Sequence, residues 1–399
     1  MKRRNVFAAG AAWLAMCAFG VSAQEPTHVV KVGVIAPMSG PFADYGKMWD
    51  AAAKAYQKLN GTTAGGAKVE IIWKDLPELN PAHAKALAQE LVIKDKVQYI
   101  GGMFFTPDAI AVASVAQEAK VPTVIFNAAT SSLLDKSEFL LRTSYTLPQV
   151  SVPVAKYALD KKVKTVVTLV SDFSAGIDSE TAFTKTFEAG GGKVVEQIRA
   201  PLKTTDFGPY LQKIKSLKPD AMFVFVPGGP PAYSLIKAYK ESGLRQAGIR
   251  FLGTAETNEV DLPSLGDEAV GVETLMNYST VHPSKLNESF IRTMRGVAPT
   301  TKFNGSAVQA FDGFAVIYKM IEATKGQADG VKAVAAVRGL QWESPRGPLK
   351  IDPASRELVQ NVYARVVEKD KSGLLVNREV ATYAMQPDHG RAAALQSSK

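Results

Sequence analysis

Residues 101–111 read GGMFFTPDAIA. Thr106, Pro107 and Asp108 are residue types that open a helix: a hydroxyl cap, a proline in the first turn and an acid beside the positive dipole end. The first N–H groups of such a helix lack partners within it, so they suit a small anion such as a carboxylate. Phe104 and Phe105 stand directly before it, where polar or glycine-rich loops are common. Alternation at a strand end sends neighbouring side chains to opposite sides. One ring is therefore expected in the core, assigned to Phe104, and the other, Phe105, beside the anion end.

Residue types for covalent chemistry are sparse. The histidines, His28, His83, His282 and His389, fall in no metal-ligand spacing, so no metal site is expected. There is no G-x-S-x-G elbow, no P-loop and no complete dinucleotide fingerprint. Asp172 and Asp178 read as helix-capping or surface acids. Cys17 is the only cysteine, so neither disulfide nor thiol chemistry is expected once the leader is removed. No catalytic residue and no cofactor is assigned; an enzyme is the weakest reading.

The elements that must position a site alternate strand and helix. VVKVGVIAP (29–37), KVEIIW (68–73), VQYIGG and VPTVIF (121–126) read as strands. The helices between them carry apolar stripes, such as Ala84, Leu87, Ala88, Leu91 and Val92. A second series starts near 148, with TVVTLVSD (165–172), KVVEQIR, DAMFVFVPGG (220–229) and IRFLGT as strands. Continuous apolar strands, each followed by an amphipathic helix, imply parallel sheets covered on both faces, and two series imply two α/β lobes. Ligands of such sheets sit at the carboxyl ends of the strands. That rule selects the loops 36–46, 101–108, 126–132, 171–178, 226–233 and 253–259, and a second anion-suited N-terminus at Thr130. Residues 284–340 give helices with no clear strand between them.

The 399 residues suggest about two domains. Lys2, Arg3 and Arg4, an apolar run from Val6 and VSA before Gln24 read as an export signal over 1–23, removed after Ala23. The formal charge is +9; without the three leader cations, 44 basic against 38 acidic residues leave +6. The basic residues are scattered and mixed with acids, which argues against nucleic acid as a partner.

APMSGPFADYG before an amphipathic helix, VPTVIFNAAT, and LVSDFSAGIDSETAF resemble the periplasmic leucine/isoleucine/valine-binding protein family across about residues 28–383. The resemblance implies an α/β type I periplasmic binding protein: two Rossmann-like lobes joined by a three-stranded hinge, with the ligand between them. It implies a first lobe from 28–147 plus 278–349 and a second from 148–277 plus 350–385. The chain would cross near Leu147, Met276 and Lys350, and 386–399 would be a disordered tail.

In that family a hydroxyl side chain and an Ala-x-Thr stretch hold the ligand carboxylate. These positions fall on Phe105, or Thr106 with a shift of one, and on Ala128 and Thr130. Ligand-covering aromatics fall on Tyr45 and Phe173. A further family tyrosine falls on Gly228 or Gly229, with Gly229 taken as the site residue, and the acid that pairs the ligand ammonium falls on Glu256. The departures make the expected pocket more apolar on one wall and roomier on the other. The expectation is a monomeric periplasmic receptor that closes on a branched-chain or aromatic amino acid and delivers it to the membrane permease of an ABC importer. Its rivals are an aromatic or aliphatic carboxylate without an amino group, and a ligand sensor for a signalling receptor.

Overall fold

The computed structural model describes residues 28–391. The export signal expected over 1–23 lies outside the described residues. Among the described residues no helix is long and apolar enough to cross a membrane.

The first series is β1 (His28–Ala36), α1 (Ala43–Asn60), β2 (Thr63–Ala64), β3 (Ala67–Asp75), α2 (Pro81–Ile93), β4 (Tyr99–Gly102), α3 (Thr106–Ala119), β5 (Thr123–Ile125) and β6 (Leu140–Arg142). Its sheet runs β2-β3-β1-β4-β5-β6, parallel except for the short β2. The second series is α4 (Leu147–Asp160), β7 (Thr165–Ser171), α5 (Ser174–Ala189), β8 (Lys193–Ala200), α6 (Gly208–Leu217), β9 (Ala221–Phe225), α7 (Pro230–Glu241), β10 (Arg250–Gly253), the short α8 (Leu262–Leu265) and β11 (Glu273–Met276). Helices α9 (Lys285–Val297), α10 (Gly305–Thr324) and α11 (Gly330–Val337) follow, then β12 (Gln341–Ser344), β13 (Gly347–Ile351), β14 (Leu358–Lys369) and β15 (Leu375–Gln386). The second sheet is β12-β13-β14-β11-β10-β9-β7-β8, with β15 on β14. Its β7–β11 part is parallel, while β14 joins β11 antiparallel.

Apolar periodicity explains where the layers bury. β7 and β9 are buried on both faces, so they read as unbroken apolar runs. Helix α10 returns to the first sheet, and its Ala307, Ala310, Phe314 and Ile317 share the core of Val32, Val34 and Ile100. The late helices thus complete the first lobe. Apart from Ala129, which packs with the second core, core membership passes between lobes between Leu141 and Tyr145, between Met276 and Tyr278, and between Leu358 and Val362. The third passage lies further along the chain than the crossing expected near Lys350, because β13 still packs its Leu349 and Ile351 in the first core.

Three local expectations are corrected. Phe105, at φ −101° and ψ 146°, is the N-cap of α3, and Thr106 is its first helical residue. Thr130 precedes a single 3₁₀ stretch, Ser131–Lys136, and no α-helix. The tail expected to be disordered from 386 is docked as far as Arg391: Asp388 accepts hydrogen bonds from Ser131 Oγ (2.5 Å) and Thr146 Oγ1 (2.9 Å), and Arg391 pairs with Asp135 (2.8 Å).

Candidate ligand-binding site

The carboxyl ends of both sheets face each other across a cleft, and the cleft holds a cavity of about 810 Å3, counting its open mouth. The lobes touch around it. Thr130 Oγ1 lies 3.2 Å from Ser174 Oγ, Ser131 N donates to Asp178 Oδ2 (2.9 Å) and Asn304 Nδ2 lies 3.5 Å from Asn258 Oδ1.

One wall is aromatic. Tyr45, Phe104, Phe105, Phe173, Phe225 and Tyr145 all line the cavity. Phe104 packs 4.6 Å from Tyr45 and 4.8 Å from Phe105 between ring centroids, the second pair edge to face. Both phenylalanines are therefore on the cavity, and the assignment of Phe104 to the core alone is corrected. The reason is local. Strand β4 ends at Gly102, and Met103 then takes a left-handed φ of 62°, so strand alternation no longer separates residues 104 and 105. Behind the rings, Trp49 Nε1 donates to Ser306 Oγ (2.8 Å), fixing α1 to the start of α10. Phe173 stacks 6.1 Å from Phe225 on the second lobe.

The polar end gathers helix N-termini. Thr106 opens α3, Ala175 lies in the first turn of α5, and Gly305 and Ser306 open α10; all four residues line the cavity. Ser306 N is capped by Asn304 Oδ1 (2.9 Å), and the dipoles of the three N-termini favour negative charge there. Thr106 Oγ1 accepts a bond from Thr130 Oγ1 (3.0 Å), which leaves its own proton to donate. Ala129 lines the cavity, whereas Ala128 and Thr130 do not; Ala128 N is spent on Met103 O (3.2 Å).

The glycine on the cavity is Gly228, not Gly229, which caps α7 at φ +88° and faces the outer mouth. Gly228 does not widen the site as expected. A β-carbon there would stand 2.1 Å from the Tyr45 hydroxyl, so the tyrosine of the opposite lobe already fills that space.

Glu256 is not aimed at the cavity, which corrects its assignment as an ammonium partner. It is fully buried, and its carboxylate accepts from Val226 N (3.1 Å) and Thr254 N (2.5 Å). Burial pushes its carboxyl up to about 7 against the pull of those donors. It ties β9 to the loop after β10. The acid that does line the cavity, Glu259, lies 3.8 Å from the Arg365 guanidinium and accepts from Asn377 Nδ2 (3.1 Å). Arg365 is buried on β14, donating to Tyr278 O (2.7 Å), Thr254 O (3.1 Å) and Thr274 Oγ1 (3.0 Å).

Sequence reasoning missed Phe104, Tyr145, Phe225, Gln309 and Arg365. Phe225 ends a strand, so the carboxyl-end rule reached its loop one residue late. Gln309 and Arg365 carry no local signal, because a helix and an antiparallel strand from the late chain bring them in. Among the described residues no group of His, Cys, Asp or Glu could hold a metal ion.

Comparison with known proteins agrees with this architecture. A family model described as "Periplasmic binding protein" matches residues 29–372. A "Leu/Ile/Val-binding protein homolog 6" of Brucella abortus (strain 2308) is 46% identical over 379 residues, covering 94% of this chain and 97% of that protein. A solute-binding protein of an ABC transporter from Rhodopseudomonas palustris HaA2, solved in complex with p-hydroxybenzoic acid, is 48% identical with a TM-score of 0.90, over 92% of this chain and 100% of that one. Its counterpart from Rhodopseudomonas palustris BisB5, solved with 3,4-dihydroxybenzoic acid, is 42% identical with a TM-score of 0.87, over 91% and 99% of the two chains.

Proposed function

The chain belongs to the periplasmic binding protein family, and from that premise we propose that it captures a small aromatic carboxylate by closing its lobes. It is an ABC-type solute-binding protein of the periplasm, and its fold is the two-lobed one of that family. The finer reading is a monomer that passes its ligand to a membrane permease. The observation that carries the ligand class is the pairing of the ring cage, Tyr45, Phe104, Phe105, Phe173 and Phe225, with the Thr106 hydroxyl at the start of α3. Burying a benzoate-sized ring contributes roughly 1.5–3 kcal/mol. A charge-assisted hydrogen bond from Thr106 contributes about 1.5–3 kcal/mol more.

The amino-acid reading needs a carboxylate for the ligand ammonium, since an unpaired buried charge is costly. Glu256 is committed to backbone donors, and the charge of Glu259 already faces the Arg365 guanidinium at 3.8 Å. That favours the ligand without an amino group, in keeping with the aromatic acids in the two Rhodopseudomonas structures. Titration calorimetry of the purified mature protein with benzoate, leucine and phenylalanine tests it. Benzoate is expected to bind and to compact the scattering profile. Binding of leucine or phenylalanine more tightly than of every aromatic acid tried would reject the reading.

A further inference from the structure

Resting on the aromatic-carboxylate reading, we propose that Gln309 reads a hydroxyl donor on the ligand's ring, so that the receptor selects hydroxylated aromatic acids over the bare ring. Gln309 lies on α10, is 1% exposed, and lines the cavity. Its Oε1 is buried and accepts no hydrogen bond within the protein.

An amide can be turned end for end, so the presence of oxygen rather than nitrogen at that point must be fixed by its surroundings. Here a relay from the hinge fixes it. Gln149 Nε2 donates to two carbonyls, Leu358 O (2.6 Å) and Gln386 O (2.7 Å), which only an NH2 can do. Its oxygen therefore faces Gln360, whose Nε2 donates both to Gln149 Oε1 (2.8 Å) and to Ser144 O (2.8 Å). Gln360 Oε1 in turn accepts from Arg346 Nη1 (2.9 Å) and Asn277 Nδ2 (3.0 Å). Asn277 must then present Oδ1 to Gln309, which gives it Nε2 (3.4 Å). Each amide sets the next, and the last one leaves an unpartnered oxygen on a side chain that lines the cavity.

That oxygen is an acceptor only. A carboxylate, itself without a proton, would be repelled by it, so the charged end of the ligand belongs at Thr106. A ring hydrogen or a halogen would leave it unpaired. A phenolic hydroxyl gives it a proton and keeps lone pairs for a donor. Arg365 Nε, also in a cavity-lining side chain and buried without a partner, is a donor of that kind. A site built to bond a hydroxyl discriminates against the analogue lacking it, because its own polar group is then left unpaired.

The test is titration calorimetry of the mature protein with benzoate and with the 3- and 4-hydroxy and the 3- and 4-fluoro derivatives. One hydroxybenzoate is expected to bind at least tenfold more tightly than benzoate and than its fluoro counterpart. Gln309→Met, close in volume, is expected to collapse the hydroxy-to-fluoro ratio to within threefold. Equal binding of the hydroxy, fluoro and bare rings by the wild type would overturn the inference while leaving the aromatic-carboxylate reading in place. So would a variant that keeps the full ratio. Failure of every aromatic acid to bind would overturn both. Should Gln309→Met not fold, the wild-type ligand series decides by itself.

Discussion

The hydroxyl of Tyr45, on the first lobe, rests over Gly228, on the second, so closely that a β-carbon at 228 would stand 2.1 Å from it. This contact forms only when the lobes are together, and it needs a residue with no side chain. Gly228→Ala is therefore expected to disfavour the closed form without touching either core. Ligand affinity should fall by about tenfold or more, since expelling a buried clash costs on the order of 1–3 kcal/mol. The melting temperature of the unliganded protein should move little. The double variant Tyr45→Phe/Gly228→Ala removes the clashing oxygen and should recover most of the affinity. Equal losses in the single and double variants would mean that the contact does not govern closure.

Thr106 offers an uncommitted hydroxyl proton at the N-terminus of α3, since its oxygen is already bonded by Thr130. Thr106→Val keeps the shape and removes that donor. Hydrogen bonds to charged groups contribute about 1.5–3 kcal/mol, so affinity for benzoate should drop roughly ten- to a hundredfold. The corresponding benzamide, which carries no charge, should lose less. Calorimetry with both ligands reads the difference, and equal losses would place the carboxylate elsewhere.

The two-lobe architecture was legible because parallel strands buried on both faces print as unbroken apolar runs, and the loops at their carboxyl ends follow from topology. Tyr45, Phe105, Thr106 and Phe173 stand in such loops and do line the cavity. What failed was placement to within one residue. Ala128 and Gly229 were named where Ala129 and Gly228 face the ligand space, because a loop's register depends on turns that no period encodes. Phe104 was hidden by the left-handed turn at Met103. Glu256 is the ammonium partner only by family resemblance, and here the N–H groups of Val226 and Thr254 claim it. Gln309 and Arg365 were out of reach: the contacts that bring them to the cavity span both lobes.

Glu256 makes a separable prediction. Its carboxyl is held at about 7 in the folded protein, above its ordinary value near 4.5, by burial. Between those two values the unfolded chain has released the proton and the folded one keeps it. The contribution of this group to stability is thus complete below about pH 4.5 and is lost as pH rises toward 7, on the order of a few kcal/mol. Glu256→Gln removes that dependence, but turns an NH2 toward the donor N–H of Thr254 or Val226, costing about 1–3 kcal/mol. Denaturant melts should therefore show the variant less stable than wild type at pH 5, with the gap narrowing by pH 8. A gap that stays constant across this range would refute the raised carboxyl.

Asp388 joins three parts of the chain that are far apart in sequence. One carboxylate oxygen accepts from Ser131, after β5 of the first lobe, and the other from Thr146, the N-cap of α4 at the first passage between lobes. Thr146 also receives Gln149 N (3.2 Å), so the end of the chain is tied to the start of the hinge relay. Asp388→Ala strips the acceptor from two buried hydroxyls, a loss of roughly 1–3 kcal/mol. Because the contact spans a hinge passage, the lobes should also open more readily. The expected result is a lower melting temperature together with a larger radius of gyration in the unliganded protein, both restored toward wild type by ligand. Asp388→Asn keeps one acceptor oxygen and should fall between the two. A variant that melts like wild type would show that the docked residues 387–391 are a passive end of the chain.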